Sequence, residues 1–273
     1  MRLPEFAGTF YPSTKDELKA ELNLLFQVKT EYYNNALGII VPHAGYLYSG
    51  QVAAKTYKAI SGIKKRNFVI LGVDHQGRGI IATSKEDWQT PLGTAKLDRG
   101  FSDYLTKEQA IIPDEFALKG EHSIEVQIPF LQYLFDDFGF VPVQVPNISY
   151  KEILELAKLL SEEDYFFIAT SDLIHYGSSY NFFPKESLYD PNDYVKNLDN
   201  EIIEQIGKFD GKGFLDYTRK KDLTICGATP IALLLEIAKN LGCKKIEKIA
   251  HDTSFSSSHN LSTIVGYGGL VIS

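Results

Sequence analysis

Three short apolar runs punctuate the first two thirds of the chain, and each gives way at once to residues that bind metals or protons. Leu37 to Val41 leads into Pro42-His43-Ala44-Gly45, Asn67 to Leu71 into Gly72-Val73-Asp74-His75, and Tyr165 to Ala169 into Thr170-Ser171-Asp172-Leu173-Ile174-His175. Runs this short, with no polar alternation, predict strands buried on both faces. Further strands are expected at Ile80 to Thr83, Phe140 to Val145, Lys245 to His251 and Ser262 to Ile272. Amphipathic stretches between them predict helices over Thr14 to Phe26, Gly50 to Ile60, His122 to Phe135, Tyr150 to Leu160, Asn192 to Gly207 and Thr229 to Leu241. Strands alternating with helices predict an α/β fold, a single domain over residues 1–273 whose central sheet, mostly parallel or mixed, is flanked by helices. In such sheets ligands bind beyond the carboxyl ends of the strands, so His43, His75, Asp172 and His175 are expected to meet there.

Two segments depart from this rhythm. Tyr176 to Asn197 has no clear period and carries six aromatic residues, Tyr176, Tyr180, Phe182, Phe183, Tyr189 and Tyr194. Loops of that length inside compact domains often form lids or binding surfaces, or pack onto the body or an oligomer partner. The final strand holds three glycines, Gly266, Gly268 and Gly269, which marks close approach of another group.

Composition narrows the function. With 28 basic against 35 acidic residues the net charge is -7, and no basic stripe exceeds Lys64-Lys65-Arg66 or Arg219-Lys220-Lys221, so nucleic acid is not an expected partner. The N-terminal residues form no apolar signal and no run suits a bilayer span, so no membrane association and a cytoplasmic location are expected. Cys226 and Cys243 bracket one predicted helix, too far apart for a disulfide.

His43 and His75 share one setting, a strand end beside glycine, where two imidazoles make half a transition-metal site or serve as structural hydrogen-bonding residues. Cys226 precedes a helix start at Gly227-Ala228-Thr229-Pro230, a place that favours thiolate, although a lone cysteine is more often a small buried hydrophobe. Asp172 and His175 suit a pair orienting a ligand or a general base, or an Asp cap on the following turn. His122 and Glu125 would share one helix face, turned toward the site or to solvent. His251 and His259 have no supporting pattern and are read as structural.

Pro42-His43-Ala44-Gly45-Tyr46 with Tyr48-Ser49-Gly50, Gly72-x-x-His75, Thr90-Pro91-Leu92-Gly93, Glu121-His122-Ser123-Ile124-Glu125, Ser171-Asp172-x-x-His175 and Cys226-Gly227-x-x-Pro230 together resemble the MEMO family (mediator of ErbB2-driven cell motility), as do Ala7-Gly8-Thr9-Phe10-Tyr11-Pro12 and Val265-Gly266-Tyr267. The resemblance runs from about residue 7 to the C-terminus and rests on the number and order of the motifs. It implies a fold like that of the class III extradiol (LigB-type) dioxygenases, non-haem iron enzymes that bind their metal through two histidines and a carboxylate. It implies His43, His75 and Cys226 as metal ligands, His175 as base, and Asp172 and His122 lining the same pocket. Thiolate in place of carboxylate shifts the preferred ion toward copper, zinc or a thiolate-ligated iron, so ring cleavage does not carry over. Val73 and Asp74 depart from the family's usual residues beside His75.

Three functions follow from the residues and the resemblance. The first is a metal-dependent redox protein, with iron or copper expected and zinc as a further option, acting on a small molecule. The second is a metal-free module that binds a peptide, since animal members are associated with phosphotyrosine peptides and prokaryotic members with radical-SAM and AMMECR1-type proteins. The third is a cysteine or metal hydrolase with Cys226 as nucleophile and His175 and Asp172 as base and orienter.

Overall fold

A computed structural model describes residues 1–273. Its strands are β1 (Gly38–Val41), β2 (Asn67–Val73), β3 (Ala82–Thr83), β4 (Trp88–Thr90), β5 (Gly93–Leu97), β6 (Ile112–Pro113), β7 (Gly139–Val145), β8 (Phe166–Thr170), β9 (His175–Gly177), β10 (Ile246–Thr253) and β11 (Thr263–Ile272). Its helices are α1 (Lys15–Leu25), α2 (Tyr46–Ala59), α3 (Arg99–Lys107), α4 (Glu115–Leu118), α5 (Ile128–Leu134), α6 (Tyr150–Leu160), α7 (Pro191–Ile206), α8 (Gly211–Lys220), α9 (Ala228–Asn240) and α10 (Phe255–Ser258). No helix is long and apolar enough to cross a membrane.

The strands form one mixed sheet in the order β10-β11-β1-β8-β2-β7-β3-β6. Its centre, β1-β8-β2-β7, is parallel, with Val41 beside Thr170 and Leu71 beside Ala169. Because side chains alternate across a strand, Ile39, Val41, Phe68, Ile70, Phe166 and Ile168 face one layer, built on α1, α2 and α5. Ile40, Val69, Leu71, Phe167 and Ala169 face the other, built on α3 and α6 to α9. Both layers are dry, which is why the strands read as unbroken apolar runs.

Local chemistry explains the element ends. In α6, Ser149 and Glu152 form a reciprocal capping box, and Ile153, Leu156, Ala157 and Leu160 make its buried face. The helix expected over His122 to Phe135 is shorter. Residues 121–124 are a loop, Glu125–Gln127 a single 3-10 turn, and the α-helix begins at Ile128. Pro129 lacks the N–H that would bond back to Glu125, so the helix cannot extend upstream through it. His122 and Glu125 therefore do not share a face. Tyr176 to Asn197 resolves into β9, two 3-10 turns and the first two turns of α7. Tyr176 packs in the core while Tyr189 stands fully exposed.

The glycines of β11 mark close approach of side chains. A Cβ at Gly266 would lie 1.9 Å from Asp199 Oδ2. Asp199, buried on α7, accepts hydrogen bonds from the Ile174 amide at 3.1 Å and from His251 Nε2 at 2.8 Å, so His251 is structural as expected. Gly266→Ala must displace that carboxylate, and overpacking of this kind costs about 1–3 kcal/mol. Chemical denaturation should show the loss; a midpoint equal to that of the parent would contradict the packing described.

Candidate metal centre

The parallel centre of the sheet puts three strand ends side by side. β8 lies between β1 and β2, so His43, Asp172 and His75 leave neighbouring strands at the same edge. Thr170, the last residue of β8, places its hydroxyl oxygen 3.1 Å from His43 Nδ1. Asp172, two residues on, accepts the His43 amide at 2.8 Å. Cys226 arrives from the far end of the chain, on the turn before α9. Gly227 permits this, because a Cβ there would lie 2.4 Å from the Thr170 carbonyl. Its amide donates instead to Ser171 Oγ at 2.9 Å.

The donor atoms of His43, His75 and Cys226 fall within 4.8 Å of one another. Cys226 Sγ is 3.1 Å from His43 Nε2 and accepts the Asp172 amide at 3.3 Å. Both histidines are held by their other ring nitrogen. His43 Nδ1 pairs with Thr170, and His75 Nδ1 lies 2.9 Å from Glu121 Oε1. Such outer partners fix tautomer and ring direction in metal sites and leave Nε2 free for the ion. The donor set thus fits a transition-metal ion.

Glu121 is the residue sequence reasoning missed, for the assumed helix directed attention to Glu125. Glu121 and His122 also lie within 4.8 Å of His75. The Glu121 carboxylate, however, already accepts the amides of His75 and Ser123, each at 2.8 Å, and faces His75 Nδ1, so it acts as support for His75. Glu125 serves the N-terminal segment instead. It accepts the Phe6 amide and the Tyr11 hydroxyl, both at 2.8 Å, and ties down the N-terminal segment. That segment brings Phe10 against His122, ring centres 4.6 Å apart, while His122 stacks on His75 at 4.6 Å.

His175 and Asp172 share the cavity wall, although not as a base and its orienter. His175 Nδ1 points at the carbonyls of Thr224 and Leu173, at 2.9 and 3.1 Å. That contact selects the Nδ1–H tautomer and leaves Nε2 as the basic nitrogen. Asp74, beside His75, accepts the amides of Arg78 and Gly79 and closes a turn. His259 caps α10 and packs on Phe255.

Burial governs the protonation states. It drives His43 well below its ordinary value, helped by the neighbouring imidazoles of His122, His75 and His175. It raises Asp172, against the His175 charge and the amides of His43 and Ala44. Burial is the largest influence on Glu121 and raises it, but the hydrogen bond and charge of His75, the Ser123 amide and His122 together outweigh burial and leave it below its ordinary value. The Cys226 thiol is pushed up by burial and by the charges of Asp172 and Glu121. The thiolate expected from a helix start is opposed by burial, which pushes this thiol above its ordinary value.

Residues 2–271 match the family model described as Memo-like protein. The chain belongs to the MEMO family. Among its relatives, a MEMO1 family protein of Methanosarcina barkeri is 35% identical across the whole of both chains. Another, from Saccharolobus solfataricus, is 37% identical over 97% of each chain, and one from Thermoplasma volcanium is 35% identical over 99% of this chain and 98% of its own. The quoted motifs that carry His43, His75, His122, Asp172 and Cys226 occupy the strand ends and turns just described.

His122 is lowered to about 4 from an ordinary 6.5, chiefly by burial and then by His75. Between those values the unfolded chain holds a proton on His122 that the folded protein does not, so stability falls as pH drops from about 6.5 toward about 4. His43 adds in the same sense. In metal-free protein, His122→Gln should flatten this slope in denaturation midpoints taken across the window; an unchanged slope would show that His122 is not held neutral.

Proposed function

We propose that His43, His75 and Cys226 bind a redox-active transition-metal ion, iron or copper, beside a cavity of about 380 Å³, lined by His122, Asp172 and His175, that takes a small molecule. The observation that carries the reading is the convergence of two imidazoles and a thiol, each histidine braced through Nδ1. Nitrogen and sulfur donors suit copper, zinc and thiolate-ligated iron better than hard cations. An ion bound there would supply Lewis acidity and one-electron chemistry beside the cavity.

The chain's own residues supply the rest. Thr170 and Glu121 orient the imidazoles. Cys226 gives up its proton on binding, so uptake releases acid and weakens at low pH. His175, its Nδ1 committed to backbone carbonyls, offers Nε2 to accept a proton from a molecule in the cavity. Phe10, Tyr48, Tyr180 and Tyr267 line the cavity. The hydrolase alternative draws less support, since burial pushes the thiol above its ordinary value and His175 Nδ1 turns to the backbone rather than to Asp172.

Cys226→Ser should weaken zinc or copper binding by more than about 100-fold, and Glu121→Gln by about 10–100-fold, the usual cost of losing an outer partner. Equilibrium competition against a chelator measures both. On zinc uptake the wild-type protein should release one more proton than Cys226→Ser, measured in weakly buffered solution. Equal proton release, or unchanged affinity in Cys226→Ser, would remove the thiol from the ligand set.

A further inference from the structure

A second cavity, of about 340 Å³, borders the turn that carries Cys226 and shares no lining residue with the cavity beside the candidate centre. Its wall is formed by the last residues of β2 and β7, Val73 and Val145, and by residues of α8 and α9. The long helix α9, thirteen residues, starts in this wall with open donors. Gly227 at its cap has no side chain to accept an amide, and no acidic residue stands in the first turn. The Gly227 amide donates to Ser171 Oγ at 2.9 Å and the Ile231 amide to the Gly227 carbonyl at 3.0 Å, while Pro230 has no N–H. The amides of Ala228 and Thr229 are left without a partner in the chain, and both residues line the cavity. Open donors at a helix start favour negative charge.

A helix start alone is served by water, but here a side chain joins it. Thr229 is only 7% exposed, lines the cavity, and makes no hydrogen bond through its hydroxyl within the chain. Its O–H and the two open amides thus belong to one short stretch of wall. Arg219 stands on the same wall and forms no ion pair, so its guanidinium is available as a balancing cation. Two carboxylates limit the charge that fits. Asp74 has committed its oxygens to the amides of Arg78 and Gly79, at 3.0 and 2.7 Å, whereas Asp222, just past the end of α8, has no partner. One free cation against one free carboxylate suits a single negative charge better than two. Arg219 and Asp222 are exposed, so the mouth is wet and the bound anion keeps part of its hydration. Pro146, Leu215 and Ile225 supply apolar surface for the rest of the ligand.

We infer that this second cavity binds a small carboxylate with an apolar tail, its carboxylate held by the Ala228 and Thr229 amides and the Thr229 hydroxyl and balanced by Arg219. The site needs no metal, and it stands or falls independently of the proposed centre.

The test is an NMR titration of metal-free, full-length protein at neutral pH and constant ionic strength with butyrate, 1-butanol and butyl phosphate. Butyrate should shift the Ala228 and Thr229 amides saturably and bind at least about tenfold tighter than butanol, the effect expected of hydrogen bonds to a charged group. It should also bind tighter than butyl phosphate, which carries close to two charges at this pH. Thr229→Val should weaken butyrate about tenfold through loss of one such bond. Arg219→Gln should weaken it a few-fold and Asp222→Asn strengthen it a few-fold, as exposed charges do. Both positions are exposed, and asparagine accepts the left-handed backbone of residue 222, φ 51°, so neither change tests the fold. Butyrate that leaves the Ala228 and Thr229 amides unmoved, butanol or butyl phosphate bound as tightly as butyrate, or affinity that none of the three variants changes would each overturn the inference.

Discussion

The placement of β8 between β1 and β2 is the constraint on which the rest depends. Parallel pairing on both sides of β8 fixes three strand ends at one edge, with Val41 beside Thr170 and Leu71 beside Ala169. A strand slipped by one residue would turn Thr170 away from His43 and bury the wrong side chains in both layers. The same pairing positions Asp172 to accept the His43 amide. The geometry of the centre is thus a property of the sheet, and the loops only complete it.

Around that edge burial holds the imidazoles of His43 and His122 toward their neutral forms and the Cys226 thiol toward its own, while two carboxyl groups accept backbone amides. Glu121 is satisfied by two amides and an imidazole. Asp172 is satisfied by amides at the start of α2. A buried cluster without compensating charge is costly to protonate and ready to receive a cation, since neutral imidazole is the form that ligates and the thiol has a proton to surrender. The N-terminal segment, fastened by Glu125, closes one side by laying Phe10 on His122. Its motif was part of the family resemblance without any role attached to it.

The central strands were legible because burial on both faces leaves unbroken apolar runs, and α6 because Ser149 and Glu152 announce its start. His43, His75, Cys226, Asp172 and His175 were legible as candidates from strand ends and family motifs, and they come together as expected. Less visible were elements with little burial. The β4–β5 hairpin, with Thr90 paired to Gly93, signals itself only through Pro91-Leu92-Gly93. Helices α3 and α8 are short and polar on one side, marked by Asp98 and Asp210 at their starts. The helix expected from His122 failed at Pro129, and with it the pairing of His122 and Glu125. What local pattern cannot carry is the third dimension: that Glu121 supports His75, that Thr170 braces His43, and that Tyr267 and Phe10 meet across one cavity.

The central claim is that these three donors hold a metal. Inductively coupled plasma mass spectrometry of untagged protein, purified anaerobically without chelators beside a His43→Ala, His75→Ala double variant, tests it most directly. Near-stoichiometric iron, copper or zinc in the wild type and none in the variant is the expected result. Wild-type protein that is empty and fails to take up any of these ions when they are added would contradict it.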